Sequence, residues 1–123
     1  MVITIISVGL KPDPEIARLI ATYEQRLPRH VRIVWRFLKR GSNPDPIRSV
    51  VEESESILST IPAGDFVILL DETGSNLTSE QFSDKIYNSG RNVTLIIGGA
   101  YGVSTGVKKQ ANLTIAFGAM VFP

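Results

Sequence analysis

Val93-Thr-Leu-Ile-Ile-Gly-Gly-Ala-Tyr-Gly-Val-Ser104 is the stretch whose reading decides the fold. Its first five residues are aliphatic apart from Thr94, with no sustained polar alternation. A strand reads this way when both faces are buried, as in a parallel sheet covered by helices. The run breaks at Gly98-Gly99, meets a third glycine at Gly102, and reaches Ser104, a residue suited to cap a following helix. Ligands of open α/β sheets lie at this carboxyl end of the strands. The glycines do not form G-x-G-x-x-G, and Gly102, Gly106 and Lys108 fall one residue short of G-x-x-x-x-G-K-[ST]. Neither a dinucleotide fingerprint nor a P-loop is supported.

Outward from this stretch, strand and helix alternate along the chain. Residues 2–9 form a first apolar strand. Pro12-Asp13-Pro14-Glu15 then starts a helix: Asp13 caps it, Pro14 takes the first helical position, and Glu15 suits the positive end of the dipole. Ile16, Leu19, Ile20, Tyr23 and Leu27 recur at helical spacing as its apolar face, until Pro28 stops it. In residues 31–38, Val31, Ile33, Trp35 and Phe37 point one way and Arg32, Val34 and Arg36 the other. That pattern predicts an edge strand with one buried and one partly wet face.

A second Pro-Asp-Pro, at Pro44, Asp45 and Pro46, opens a helix with Ile47, Val50, Val51, Ile57 and Leu58 on one face. Its acidic residues Glu52, Glu53 and Glu55 are expected largely toward solvent. Residues 66–70 are a solid apolar run, hence a central strand, ending in a turn at Asp71-Glu-Thr-Gly74. Thr78 and Gln81 make a capping box for a short helix carrying Phe82 and Ile86, which Gly90 ends. A last helix over 104–111 and a fifth strand over 113–117 follow. The alternation predicts one α/β domain over residues 1–123, with three layers and a mainly parallel sheet.

Composition narrows the function classes. With no cysteine, disulfides, thiolate metal sites and a cysteine nucleophile are excluded, and no metal site is expected. The apolar N-terminus lacks a basic leader and a cleavage site, so it reads as a strand and not as a signal peptide. No stretch approaches the ~20 apolar residues of a membrane span. Three Asn-X-Thr triplets, at Asn76, Asn92 and Asn112, read as chance occurrences without a secretory signal. The net charge of +1 hides a cluster: Arg26, Arg29, Arg32, Arg36, Lys39 and Arg40, with no acid among them. Such asymmetry points to a polyanionic partner.

Three segments carry a family likeness: Val67-Ile-Leu-Leu-Asp-Glu-Thr-Gly74 with Leu77-Thr-Ser-Glu-Gln-Phe82, Leu95-Ile-Ile-Gly-Gly-Ala-Tyr-Gly102, and Phe117-Gly-Ala-Met-Val-Phe-Pro123. In order and spacing they resemble the ribosomal RNA large subunit methyltransferase H family, of the trefoil-knotted SPOUT superfamily. The resemblance implies an S-adenosylmethionine-dependent enzyme that methylates N3 of a pseudouridine in helix 69 of 23S rRNA. It also implies a cytoplasmic homodimer working on the ribosome. It places the cofactor among three loops at the carboxyl ends of the strands: Leu70, Gly98, and the group Phe117, Gly118, Ala119, Met120, Val121 and Phe122. Members of that family continue beyond the position of Pro123 with a segment that threads the knot and completes the dimer. The expectation is therefore a SPOUT (alpha/beta knot) fold whose knot-forming C-terminal helix is missing. The alternative is a truncated relative that binds S-adenosylmethionine or RNA without chemistry.

Methyl transfer to a ring nitrogen needs donor and acceptor in line, and loss of a proton from the acceptor. The sequence assigns no base. His30, the single histidine, falls at the amino end of its strand, away from the ligand edge. Asp71 and Glu72 are at the right end, either as turn formers or as partners for ribose hydroxyls or a positive charge. Arg32, Arg36, Lys39 and Arg40 lead into a glycine-containing loop at the ligand edge, where phosphate contacts would position an RNA. The competing reading is a solvated face.

Overall fold

The computed structural model describes residues 1–9 and 11–121. Each helix begins at the capping residue that the sequence offers. In α1 (Pro14–Glu24), Asp13 accepts the Ile16 N–H at 2.9 Å, and in α2 (Pro46–Thr60), Asp45 accepts the Ile47 N–H at 3.0 Å. For α3 (Ser79–Asn88), Thr78 and Gln81 exchange both bonds of the capping box, at 2.9 and 3.1 Å. Ser104 caps the short α4 (Thr105–Gln110) through the Val107 N–H.

Five strands, β1 (Val2–Val8), β2 (Arg32–Leu38), β3 (Phe66–Asn76), β4 (Val93–Ile97) and β5 (Leu113–Ala116), form one sheet in the order β2-β1-β4-β3-β5. All pairs are parallel. The apolar runs that lack alternation are interior strands, and alternating β2 is an edge, as expected. Strand periodicity then sends neighbouring residues to opposite faces. Ile6, Val8, Val67, Leu69 and Ile96 meet Ile57 of α2 and Val107 of α4 on one face. Ile3, Ile68, Val93 and Ile115 meet Phe82 and Ile86 of α3 on the other. Each fully buried aliphatic side chain of this set is worth about 1.5–3 kcal/mol, which makes the central strands the rigid base of the molecule.

Two of the three Asn-X-Thr triplets have a structural use at the amino edge of the sheet. Asn92, just before β4, accepts the Val2 N–H at 2.9 Å, and Asn112, just before β5, accepts the Val67 N–H at 2.8 Å. Buried Thr94 donates to Asp65 at 2.8 Å. These side chains pin the register where the strands begin.

Three expectations are corrected. The apolar face of α1 is not covered: Ile16, Leu19 and Tyr23 are exposed, the helix buries no residue, and it ends at Glu24, short of Leu27 and Pro28. It meets the sheet through the Trp35 indole N–H, which donates to Glu24 at 2.7 Å. In β2, no side chain is fully buried; Trp35 and Phe37 stack on each other at 5.4 Å instead of sinking into a core. In α2, Ile47, Val51 and Leu58 face outward, while Ser49, Glu53, Ser54 and Ile57 are buried. The loops beneath α2 present main-chain N–H groups that need acceptors, and polar side chains supply them.

Candidate active site

β4, β3 and β5 are adjacent, so their carboxyl ends converge on one cleft of about 520 Å³. Three loops line it. The loop after β4 supplies the main chain of residues 98–102 with Tyr101, the outer part of β3 supplies Leu70, Asp71 and Glu72, and the segment after β5 supplies Phe117, Met120 and Val121. Lys108 reaches it from α4. Ile97 and Ile115 extend the apolar wall.

Crowding explains the glycines of these loops. The Gly102 N–H donates to the Gly99 carbonyl at 3.0 Å, closing the turn, and Gly102 has a φ of +79°, a conformation that favours glycine. A Cβ on Gly98 would stand 2.8 Å from the Val103 side chain, and one on Gly99 would stand 2.7 Å from Glu53 Oε1. In β3, residues 71–74 are not a turn that ends the strand. Leu70 and Ser75 both register with Ile115, so the intervening residues swing out over the cleft before pairing resumes. Gly74 permits this, because a Cβ there would lie 2.7 Å from the Ile115 main chain. Asp71 accepts from the Thr73 hydroxyl, a local bond that orders the excursion.

The family model described as "Predicted SPOUT methyltransferase" matches residues 1–123. The chain belongs to this family. Similar curated proteins carry the name "Ribosomal RNA large subunit methyltransferase H". The one from Christiangramia forsetii is 35% identical over 99% of this chain and 82% of its own length. That from Caldicellulosiruptor bescii is 35% identical over 98% and 82%, and that from Neisseria meningitidis 30% identical over 100% and 83%.

In this SPOUT chain, Leu70, Gly98, Phe117, Met120 and Val121 line the same cleft although they come from three separate segments. Gly118 and Ala119 lie in the same segment as Phe117 without lining the cleft, and Phe122 lies outside the described residues. Phe117 and Met120 are 70% and 75% exposed, so this wall is open to solvent. Arg32, Arg36, Lys39 and Arg40 do not line the cleft. They are exposed along β2 and the loop that follows, and Arg40 lies beside Gly9 at the end of β1. His30 is at the amino edge against Tyr87, with ring centroids 6.3 Å apart. The titratable side chains on the cleft lining are Asp71, Glu72, Tyr101 and Lys108 among the described residues. No helix among those residues is long and apolar enough to cross a membrane.

Sequence reading missed three consecutive residues of α2. Glu52 accepts the Ser42 N–H at 3.1 Å, Glu53 accepts the Gly41 N–H at 2.8 Å, and Ser54 accepts the Ser104 N–H at 2.9 Å. The first two bonds hold the loop after β2; the third holds the exit from the glycine-rich turn. A signal was present: Val50, Glu53, Ser54, Ile57 and Ile61 share one helical face, so Glu53 occupies an inward position of the wheel.

Proposed function

We propose that this SPOUT chain binds S-adenosylmethionine in the cleft and transfers its methyl group to large-subunit ribosomal RNA, at N3 of a pseudouridine in helix 69 of 23S rRNA. The observation that carries the reading is the convergence of three loops on one cleft at the carboxyl ends of β4, β3 and β5. The curated names of the relatives support the reaction and the RNA class. Apolar Leu70, Phe117, Met120 and Val121 suit the faces of an adenosyl group, and the main chain of residues 98–102 offers N–H and C=O groups for its polar edges. Bound there, the cofactor supplies an electrophilic methyl group. The chain's own residues then hold the donor and orient the acceptor at the open side of the cleft. Asp71 and Glu72 stand where ribose hydroxyls or a sulfonium charge would be met.

Arg32, Arg36, Lys39 and Arg40 serve as phosphate contacts outside the cleft, from Arg32 at the amino end of β2 to Lys39 and Arg40 just beyond its carboxyl end. None of the four enters an ion pair among the described residues, which suits groups kept for an external anion. The exposed stripe of Ile16, Leu19 and Tyr23 on α1 suits a homodimer contact, and the enzyme works in the cytoplasm.

Calorimetric titration with S-adenosylhomocysteine and single-turnover methyl transfer to ribosomes test the reading. Binding followed by transfer is expected, and Gly98→Val should abolish binding in a folded chain. Binding without transfer would leave a module that holds cofactor or RNA and does no chemistry. For Arg36→Ala and Lys39→Ala, each lost phosphate contact should lower the log–log salt slope of RNA binding by roughly 0.7–0.9. Unchanged slopes would assign both residues to a solvated surface.

A further inference from the structure

We infer that Glu53 is a positioning residue that holds the basic loop after β2 and the glycine-rich turn after β4 in one arrangement, so that a change in either loop is felt by the other. The assignment of the loops to RNA and cofactor rests on the reading above; the mechanical link does not. Glu53 is only 7% exposed. Its Oε2 accepts the Gly41 N–H at 2.8 Å, two residues beyond Lys39. Its Oε1 faces Gly99 so closely that a single methyl there would come within 2.7 Å. One carboxylate thus bonds the first loop and stands close against the second.

The surroundings make this a bracket and not a lone contact. A Cβ on Gly41 would stand 2.2 Å from Ser49 Oγ, so the loop after β2 rests directly on α2. Glu52 and Ser54 bond the main chain at Ser42 and Ser104, on either side of the same contact. Glu53 has no ion-pair partner among the described residues. A buried carboxylate without a cation is a poor stabiliser, because desolvation opposes it. A carboxylate does have two acceptor oxygens: one takes the Gly41 N–H and the other faces Gly99. Lys39 and Arg40 do not line the cleft, so the basic loop reaches it through this part of α2.

Amide hydrogen exchange on the ligand-free full chain tests the link without relying on any activity. Glu53→Ala should accelerate exchange at Gly41 by about tenfold or more, for a charged hydrogen bond lost, and should accelerate exchange across residues 98–104 with it, with β1 and β4 still protected. Glu53→Gln should restore protection at Gly41, because its carbonyl oxygen can accept that N–H. Gly99→Ala presses on Oε1 from the opposite side and should loosen Gly41, which it never touches. Acceleration at Gly41 alone in Glu53→Ala, or an unchanged Gly41 in Gly99→Ala, would overturn the inference. The Gly99→Ala arm decides even if Glu53→Ala fails to fold. S-adenosylhomocysteine added to the wild-type chain should slow exchange over residues 39–43, an effect lost in Glu53→Ala. If the wild-type chain binds no S-adenosylhomocysteine while Gly99→Ala still loosens Gly41, the methyltransferase reading falls and the link stands.

Discussion

α1 and α2 begin with the same tripeptide, Pro-Asp-Pro, and end in opposite situations. Both Asp residues cap, and both following prolines take the first helical position. Yet α1 buries no residue and turns an apolar stripe to solvent, with Tyr23 64% exposed. α2 buries Glu53 and two serines and turns Ile47 outward at 75% exposure. The difference lies in what each helix covers. Beneath α2 run two loops whose N–H groups at Gly41, Ser42 and Ser104 need acceptors. α1 lies beside the edge strand β2, where Glu24 accepts the Trp35 indole N–H, and buries no residue. A cap fixes where a helix starts; the polar demands of its neighbours fix which face goes in.

The comparison can be broken most forcefully at Gly41. Gly41→Val should force the loop off α2 and lower stability by about 3 kcal/mol, the upper end of typical overpacking, as measured by urea unfolding. A cost below 1 kcal/mol would mean that the loop is not seated on α2. Ser54→Ala leaves the Ser104 N–H without its acceptor and should cost about 2 kcal/mol, within the range for an unsatisfied buried group. A neutral result would remove the polar bracket as the reason for the inward face of α2.

The two caps should be equivalent, since they are local. Asp13→Ala and Asp45→Ala are each expected to cost about 1 kcal/mol. A difference well beyond that figure would show that tertiary context reaches the helix start as well. Smallest of all should be Tyr23→Ser on α1, with monomer stability changed by no more than about 0.5 kcal/mol. Sedimentation equilibrium of the same variant should show weaker self-association if the α1 stripe is a contact between copies; equal association would leave the stripe unpartnered.

How far the sequence could be read varies with the range of the interaction. The capping box of α3 joins residues three apart, so Thr78 and Gln81 could be paired on inspection. The buried strands showed in their unbroken aliphatic runs. The excursion of residues 71–74 did not show, because a sequence that leaves a strand reads as a turn. Only the double registration of Ile115 reveals that the pairing resumes. Glu53 was misread for a similar reason: a glutamate on a helix is usually solvated, and the N–H that requires it inward is 12 residues away.

The sequence by itself determined the order of strands and helices, the start of each helix and the glycine-rich turn after β4, since these rest on contacts within a few residues and on side-chain periodicity. It also carried the family likeness. The family likeness also implied that Leu70, Gly98 and Phe117 share one site. The tertiary structure decided that the basic residues lie outside the cleft these three line, that residues 71–74 swing over it, and that Glu53 turns inward between the loop after β2 and the glycine-rich turn. Parallel strands bring their carboxyl ends together irrespective of chain distance, and a buried acceptor is placed by whichever main-chain donor the packing leaves in need.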